Sequence, residues 1–299
     1  MSDYTVIAVI FDFDDTLAPD STSFFLKEHG VDVDDFWLKE VKPLVQSGYD
    51  PTHAYLKRLL DYVGEGKPLG NLTNQELSNF GKKLDASFFP GIPELFGDLS
   101  ASVKDYRDIG IEFYIISGGL EDMLTGSEVV SKNFSGVYGC KLGGDTDDDP
   151  LRYIKRAITF TEKTRYLFEI NKGVTPEKVA EKPYLVNRSK SHKERRIRFS
   201  NMIYVGDGLT DIPCFSLVKN GAGDPAGGGV CFGVFDPTKE KSAKQALDEY
   251  LIPGRVASAH APYYTKDREL GALIRSAVAG ICHKIKLSEE EVEERLATE

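Results

Sequence analysis

Asp12 and Asp14 stand two residues apart in the run VIAVIFDFDDTL, residues 6–17. Two carboxylates at that spacing can divide one reaction between them. One attacks as a nucleophile and binds a metal, while the other shuttles a proton, a division that suits phosphoryl transfer through an aspartyl-phosphate. The apolar, β-prone residues leading into them read as a buried parallel strand. Acids just past the C-terminal end of such a strand lie where open α/β sheets bind their ligands.

Two further strand ends carry polar groups of the same kind. The segment IEFYIIS, residues 111–117, reads as a second buried strand ending in Ser117, with Gly118 and Gly119 behind it. The segment NMIYVGDGLTD, residues 201–211, reads as a further core strand ending at Asp207, followed by Gly208 and Asp211. In a parallel sheet these C-terminal ends share one edge, so residues far apart in the chain can serve one site. Taken singly, acids and glycines after strands are ordinary turn formers. Their specificity comes from occurring in order on successive strands.

This set resembles the haloacid dehalogenase-like hydrolase superfamily. The matching motifs are Asp12-x-Asp14-x-Thr16, Ser117 at the second strand end, a lysine, and Gly206-Asp207-Gly208 with Asp211. The resemblance implies a Rossmann-like three-layer α/β core and a phosphomonoesterase acting on a small phosphorylated metabolite. It implies that Asp12 is the nucleophile and Asp14 the acid and base. It further implies Mg2+ held by Asp12, the Asp14 carbonyl and Asp207, with Asp211 orienting those ligands. Ser117 and the Gly118 N–H would hold phosphate oxygens. The lysine is expected near a helix N-terminus, and Lys163 in TFTEKTRYLFEINKG has that position; Lys190 and Lys193 are the alternatives. Ser-Gly-Gly after strand two and Gly-Asp-Gly-x-x-Asp resemble the phosphoserine-phosphatase-like branch. Serine phosphatases of that branch carry a Glu shortly after the first motif that grips the substrate amine. Here the stretch reads Ala18-Pro19-Asp20-Ser21-Thr22, so Asp20 is the available acid and phosphoserine is not assigned. A phosphotransferase using the same intermediate, or an idle scaffold or binding module, are the alternative functions. Dehalogenases of the superfamily lack the second Asp, which is present here.

The intervening text must position these groups. Residues 19–87 show apolar residues at three- and four-residue spacing with no strand, which reads as a helical insert. Thr73-x-x-Glu76 there is a capping box that starts its last helix. In the resembling superfamily such an insert is a C1-type cap, a lid, leaving 1–18 and 88–299 as the core. His53, Tyr55, Lys57 and Arg58 are candidate lid contacts. After it come a helix over 92–109, a strand at 136–142, an acidic turn at 145–149 and a partner strand near 154–160. A helix over 161–171 and strands at 230–236 and 256–264 complete an alternation that means a parallel sheet covered on both faces.

Composition bounds the partners. The 299 residues carry a net charge of −10, which argues against a general nucleic-acid binder. No apolar stretch approaches the ~20 residues of a membrane helix. The four cysteines lack metal spacing and read as buried thiols of a reducing, cytoplasmic compartment. The sequons at Asn71, Asn133 and Asn187 are then chance matches, and the five histidines show no metal spacing. One tract departs from the acidic whole: NRSKSHKERRIRF, residues 187–199, reads as a solvated surface hairpin or as a docking patch for an anionic partner. The acidic run Asp145–Asp149 lacks EF-hand spacing and reads as a solvated turn. GAGDPAGGG, residues 221–229, lacks the Lys-Ser/Thr pair of a nucleotide loop and reads as a flexible loop near the active edge.

Overall fold

The structure, a computed structural model, describes residues 5–298, with side chains through Ser288. Seven strands form one sheet: β1 (Thr5–Phe11), β2 (Ile109–Leu120), β3 (Gly136–Gly143), β4 (Tyr153–Arg156), β5 (Met202–Gly206), β6 (Val230–Val234) and β7 (Ser258–His260). Their order is β4-β3-β2-β1-β5-β6-β7. The pairs β2/β3, β5/β6 and β6/β7 are parallel, and β3/β4 is an antiparallel hairpin. This is the α/β class expected, with helices between the strands. After β1 the order runs outward one way through β2 and the other way through β5. Such a reversal marks a topological switch point, where open sheets bind ligands.

Contacts divide the chain into two compact units. The first takes in β1 through Ile10, Pro90–Phe113 and the chain from Thr164 onward. Every residue of β5 is buried, as a strand covered on both faces must be. The helix Glu94–Val103 packs Leu95, Phe96, Leu99 and Val103 inward, and the helix Glu269–Thr298 packs Leu270, Ile274, Val278 and Cys282. Arg275 Nη2 joins the two helices through Asp98 Oδ2 at 2.7 Å.

The second unit, Phe11–Phe89 and Tyr114–Lys163, holds the helical stretch expected over 19–87. Its helices are Ser21–Glu28, Pro51–Asp61 and Asn74–Gly81, with a π-helical segment Asp35–Val41 running into Lys42–Gln46. Pro43, which has no N–H to give, sits where the wide turn gives way. Thr73 caps the helix Asn74–Gly81 in a full capping box: Glu76 N donates to Thr73 Oγ1, and Thr73 N donates to Glu76 Oε2. Phe25, Phe36, Leu56, Leu59, Leu77 and Phe80 fill the space between these helices.

Two loop readings are corrected. The tract 187–199 forms no hairpin; after a short helix, Pro176–Glu181, the chain runs through three 3-10 turns. The Glu194 carboxylate closes the second of these turns on Ser191, so local polar bonding replaces strand pairing. The loop 221–229 is not near the active edge. It joins the C-terminal end of the helix Ile212–Asn220 to the start of β6, and Gly229 N bonds Val218 O, which puts it at the opposite end of that strand. The acidic turn at 145–149 is exposed between β3 and β4, as read.

Candidate active site

The second unit holds five of the expected residues, Asp12, Asp14, Ser117, Gly118 and Lys163. At the end of β1, Asp12 is 6% exposed, and Phe13 N donates to its Oδ1 at 2.8 Å. Lys163 Nζ lies 3.0 Å from Asp12 Oδ2, and the lysine is 1% exposed. Lys163 is the second residue of the helix Glu162–Lys172, the position a helix N-terminus lends to anion binding. Of the alternatives, Lys190 donates to Lys172 O at 2.6 Å and Lys193 is exposed.

Beyond Asp12 the backbone turns sharply. Leu17 N bonds Phe13 O, and Asp15 takes a left-handed φ of 54°. This turn aims Asp14 at the N-terminus of the helix Ser21–Glu28, where Ser21 N donates to Asp14 Oδ1 at 2.8 Å. Burial, and then the charge of Asp20, push the Asp14 carboxyl up to about 8. It remains half-buried. Asp20 is engaged by the backbone and side chain of Ser23. It caps the same helix, its two oxygens accepting from Ser23 N at 2.9 Å and Ser23 Oγ at 2.8 Å.

At the end of β2, Ser117 is fully buried, and its Oγ accepts from Gly119 N at 2.9 Å. Gly119 leaves room for both groups: a Cβ there would lie 2.8 Å from Asp14 Oδ2 and 3.3 Å from Ser117 Oγ, so a larger residue would push the Asp14 carboxyl aside. Tyr55, from the helix Pro51–Asp61, donates its hydroxyl to Gly118 O. Burial holds that phenol protonated, well above its ordinary value. Of the other candidate lid contacts, Lys57 and Arg58 bond Asp61 within their own helix, and His53 faces Asp50.

The first unit carries the remaining two. Asp207 follows β5 and is half-buried. Tyr250 OH donates to Asp207 O at 2.5 Å and accepts from Gln245 Nε2 at 2.7 Å. Burial, with the Asp207 charge a lesser cause, raises both the Tyr250 and Tyr264 phenols. Asp211 is fully buried; Tyr204 OH donates to its Oδ1 at 2.7 Å and Gly208 N to its Oδ2 at 3.0 Å. A Cβ on Gly206 would come within 2.5 Å of that Oδ2, so the loop closes only over glycine. Asp211 therefore holds the shape of the 206–211 loop.

Sequence reasoning missed Ser21, Tyr204 and Tyr250. Their neighbours in sequence give no signal, because each reaches its partner through the fold. The four cysteines are buried and none is in a disulfide, as read.

No family model matches the chain. An uncharacterised protein of Borreliella burgdorferi is 35% identical over 238 residues, covering 72% of this chain and 79% of its own length. The chain belongs to that protein's family. Among solved structures, a phospho-aspartyl intermediate analogue of phosphoserine phosphatase superposes with a TM-score of 0.52 over 91% of this chain and 99% of its own, at 16% identity. A substrate-bound phosphoserine phosphatase gives 0.51 over 91% and 98%, at 14% identity. A haloacid dehalogenase family hydrolase from Salmonella enterica serovar Typhi gives 0.52 over 86% and 67%, at 15% identity. The fold is thus the haloacid dehalogenase-like one, in its phosphoserine-phosphatase-like form. Among the described residues no helix is long and apolar enough to cross a membrane.

Proposed function

We propose that this protein is a Mg2+-dependent phosphomonoesterase of small phosphorylated metabolites, working through an aspartyl-phosphate on Asp12. The observation that carries the reading is the contrast between its two carboxyls. Asp12 pairs with the buried Lys163 ammonium, while Asp14, two residues on, is pushed up to about 8 and holds a proton at neutral pH. Carboxyls driven apart in this way take opposite roles, one as nucleophile and one as acid.

In the first step an Asp12 oxygen attacks phosphorus and the ester P–O bond breaks. Asp14 gives its proton to the departing alkoxide. In the second step Asp14, now a carboxylate, takes a proton from water as that water attacks phosphorus. The bond from phosphorus to Asp12 breaks and phosphate leaves. Lys163, the Ser117 hydroxyl and the Gly118 N–H hold the equatorial oxygens, where charge is spread in the transition state.

Asp12, Asp207 and Asp211 each offer carboxylate oxygens. Hard carboxylate oxygens suit Mg2+. On this reading Asp12, the Asp14 carbonyl and Asp207 would ligate it and Asp211 would orient them. When bound, the ion offsets the charge of the transferring phosphoryl group. The helices of 19–87 act as the lid over the 1–18 and 88–299 core, with Tyr55 its contact at the phosphate loop.

Hydrolysis of p-nitrophenyl phosphate with Mg2+, lost in Asp12→Asn and on chelation, is the expected result. A folded, Mg2+-supplied preparation that leaves both this ester and a panel of phosphorylated metabolites intact would defeat the proposal.

A further inference from the structure

The basic tract has no part in that chemistry. Residues 172–198 hold nine Lys and Arg against three Glu, in a chain of net charge −10. Some of these cations have clear partners. Arg196 Nη1 bonds Glu112 Oε2 at 2.7 Å, and Lys178 Nζ bonds Gly173 O at 3.1 Å. Lys172, Lys190 and Arg195 differ. All three are half-buried, and among the described residues none has a carboxylate within ion-pair reach.

Lys172 and Lys190 bond into the same stretch of backbone, and Arg195 acts on Lys172 by charge. Lys190 Nζ donates to Lys172 O at 2.6 Å, and Lys172 Nζ turns back to Val186 O at 2.6 Å and Arg188 O at 3.0 Å. Burial first, then the charges of Arg195 and Lys190, hold the Lys172 ammonium below its ordinary value. Arg195 Nε and Nη1 are shut off from solvent and reach no acceptor. His192, three residues earlier, buries Nδ1 in the same state. The nearby acid, Glu194, is taken by Ser191 N at 2.8 Å and Ser191 Oγ at 2.7 Å.

Lysines that bond carbonyls at a helix C-terminus are an ordinary device. That accounts for the Lys190 bond, but not for a guanidinium whose buried N–H groups meet nothing. A buried donor left unmade carries its full desolvation cost, and like charges this close repel. An anion that reached these groups would lower both costs.

We propose that Lys172, Lys190 and Arg195 form a second anion site, which takes a phosphate-type oxyanion. The planar fork of arginine suits two phosphate oxygens, and the two ammonium groups add point charge. The ion is either free phosphate or the phosphate group of a metabolite.

The test is calorimetric titration of inorganic phosphate, without Mg2+, into the full-length Lys163→Met protein, which removes the proposed catalytic contact. One saturable site is expected. Adding Arg195→Gln weakens it about tenfold or more, and Arg195→Lys less. Lys190→Gln is the second variant, kept in case Arg195→Gln does not fold. In melting experiments Arg195→Gln stands no lower than its parent without phosphate, and phosphate raises the parent alone. A sugar phosphate that binds tighter than phosphate assigns the site to a metabolite; equal binding assigns it to the free ion. Absence of saturable binding, or binding indifferent to both Arg195→Gln and Lys190→Gln, overturns the proposal. Because Lys163 is already replaced, failure of the catalytic reading would leave this result unchanged.

Discussion

Lys163 Nζ sits 3.0 Å from Asp12 Oδ2, with both side chains almost wholly out of water. In so dry a setting a fixed ammonium acts on charge developing beside it far more strongly than it would in solvent. Lys163→Met should therefore lower kcat/KM for p-nitrophenyl phosphate by about 10²–10³-fold. Lys163→Arg should recover little, since the wider guanidinium does not fit the space of a compact ammonium. Steady-state kinetics of both variants at saturating Mg2+ checks this; wild-type rates in Lys163→Met would remove the lysine from the mechanism.

Asp14 makes the folded protein pH-sensitive in an unusual direction. Its folded value of about 8 stands above the roughly 3.9 of a free aspartate. A raised carboxyl favours the folded state while protonated, so that contribution is complete below about 4 and is lost as pH climbs toward 8. Asp14→Asn keeps the shape without the titration. In metal-free buffer it should melt above wild type by a margin that widens from pH 5 to pH 8 and then levels off, while its turnover collapses. Calorimetric melting at several pH values reads the margin; a difference constant with pH would show that Asp14 titrates as an ordinary acid.

The parts of this molecule legible in sequence are those whose cause is local. β1 announces itself because a strand covered on both faces must be apolar throughout, and its acids begin where the strand ends. Thr73 and Glu76 cap each other across three residues, so their pattern needs no tertiary information. Lys163 was readable as a helix-start lysine, but its approach to Asp12 depends on where the whole helix docks. Tyr204, Tyr250 and Ser21 gave no signal, since a hydroxyl has no periodicity and its target is fixed only by folding. The tract at 187–199 misled because it has neither helical nor strand spacing. Its short turns are held by side-chain bonds such as Ser191 with Glu194.

Gly119 tests how closely the second strand end is fitted to the acid. An added methyl would meet Asp14 Oδ2 at 2.8 Å, inside any normal carbon–oxygen contact, with Ser117 Oγ at 3.3 Å behind it. Asp14 would have to swing away from Ser21 N. Misplacement of a reacting group by about 1 Å costs on the order of 10²-fold in rate. Gly119→Ala should keep its circular dichroism spectrum and lose kcat on about that scale. Gly97→Ala, at a helix position with open space around it, serves as the control and should leave activity unaltered.

Asp211 offers the sharpest separation of metal handling from chemistry. Its carboxylate accepts from Tyr204 OH on one oxygen and Gly208 N on the other, so it fixes the loop that carries Asp207. In Asp211→Asn one oxygen becomes an NH2 group, which cannot accept, and one of the two bonds must go. Residues that orient metal ligands typically change metal affinity by about 10–100-fold when lost. The Mg2+ concentration for half-maximal turnover should therefore rise by about tenfold or more, while the rate at saturating Mg2+ stays within a few-fold of wild type. Tyr204→Phe, which deletes a single donor, should shift it the same way by less. If instead the saturated rate falls and the Mg2+ requirement does not move, Asp211 acts on the substrate rather than on the loop.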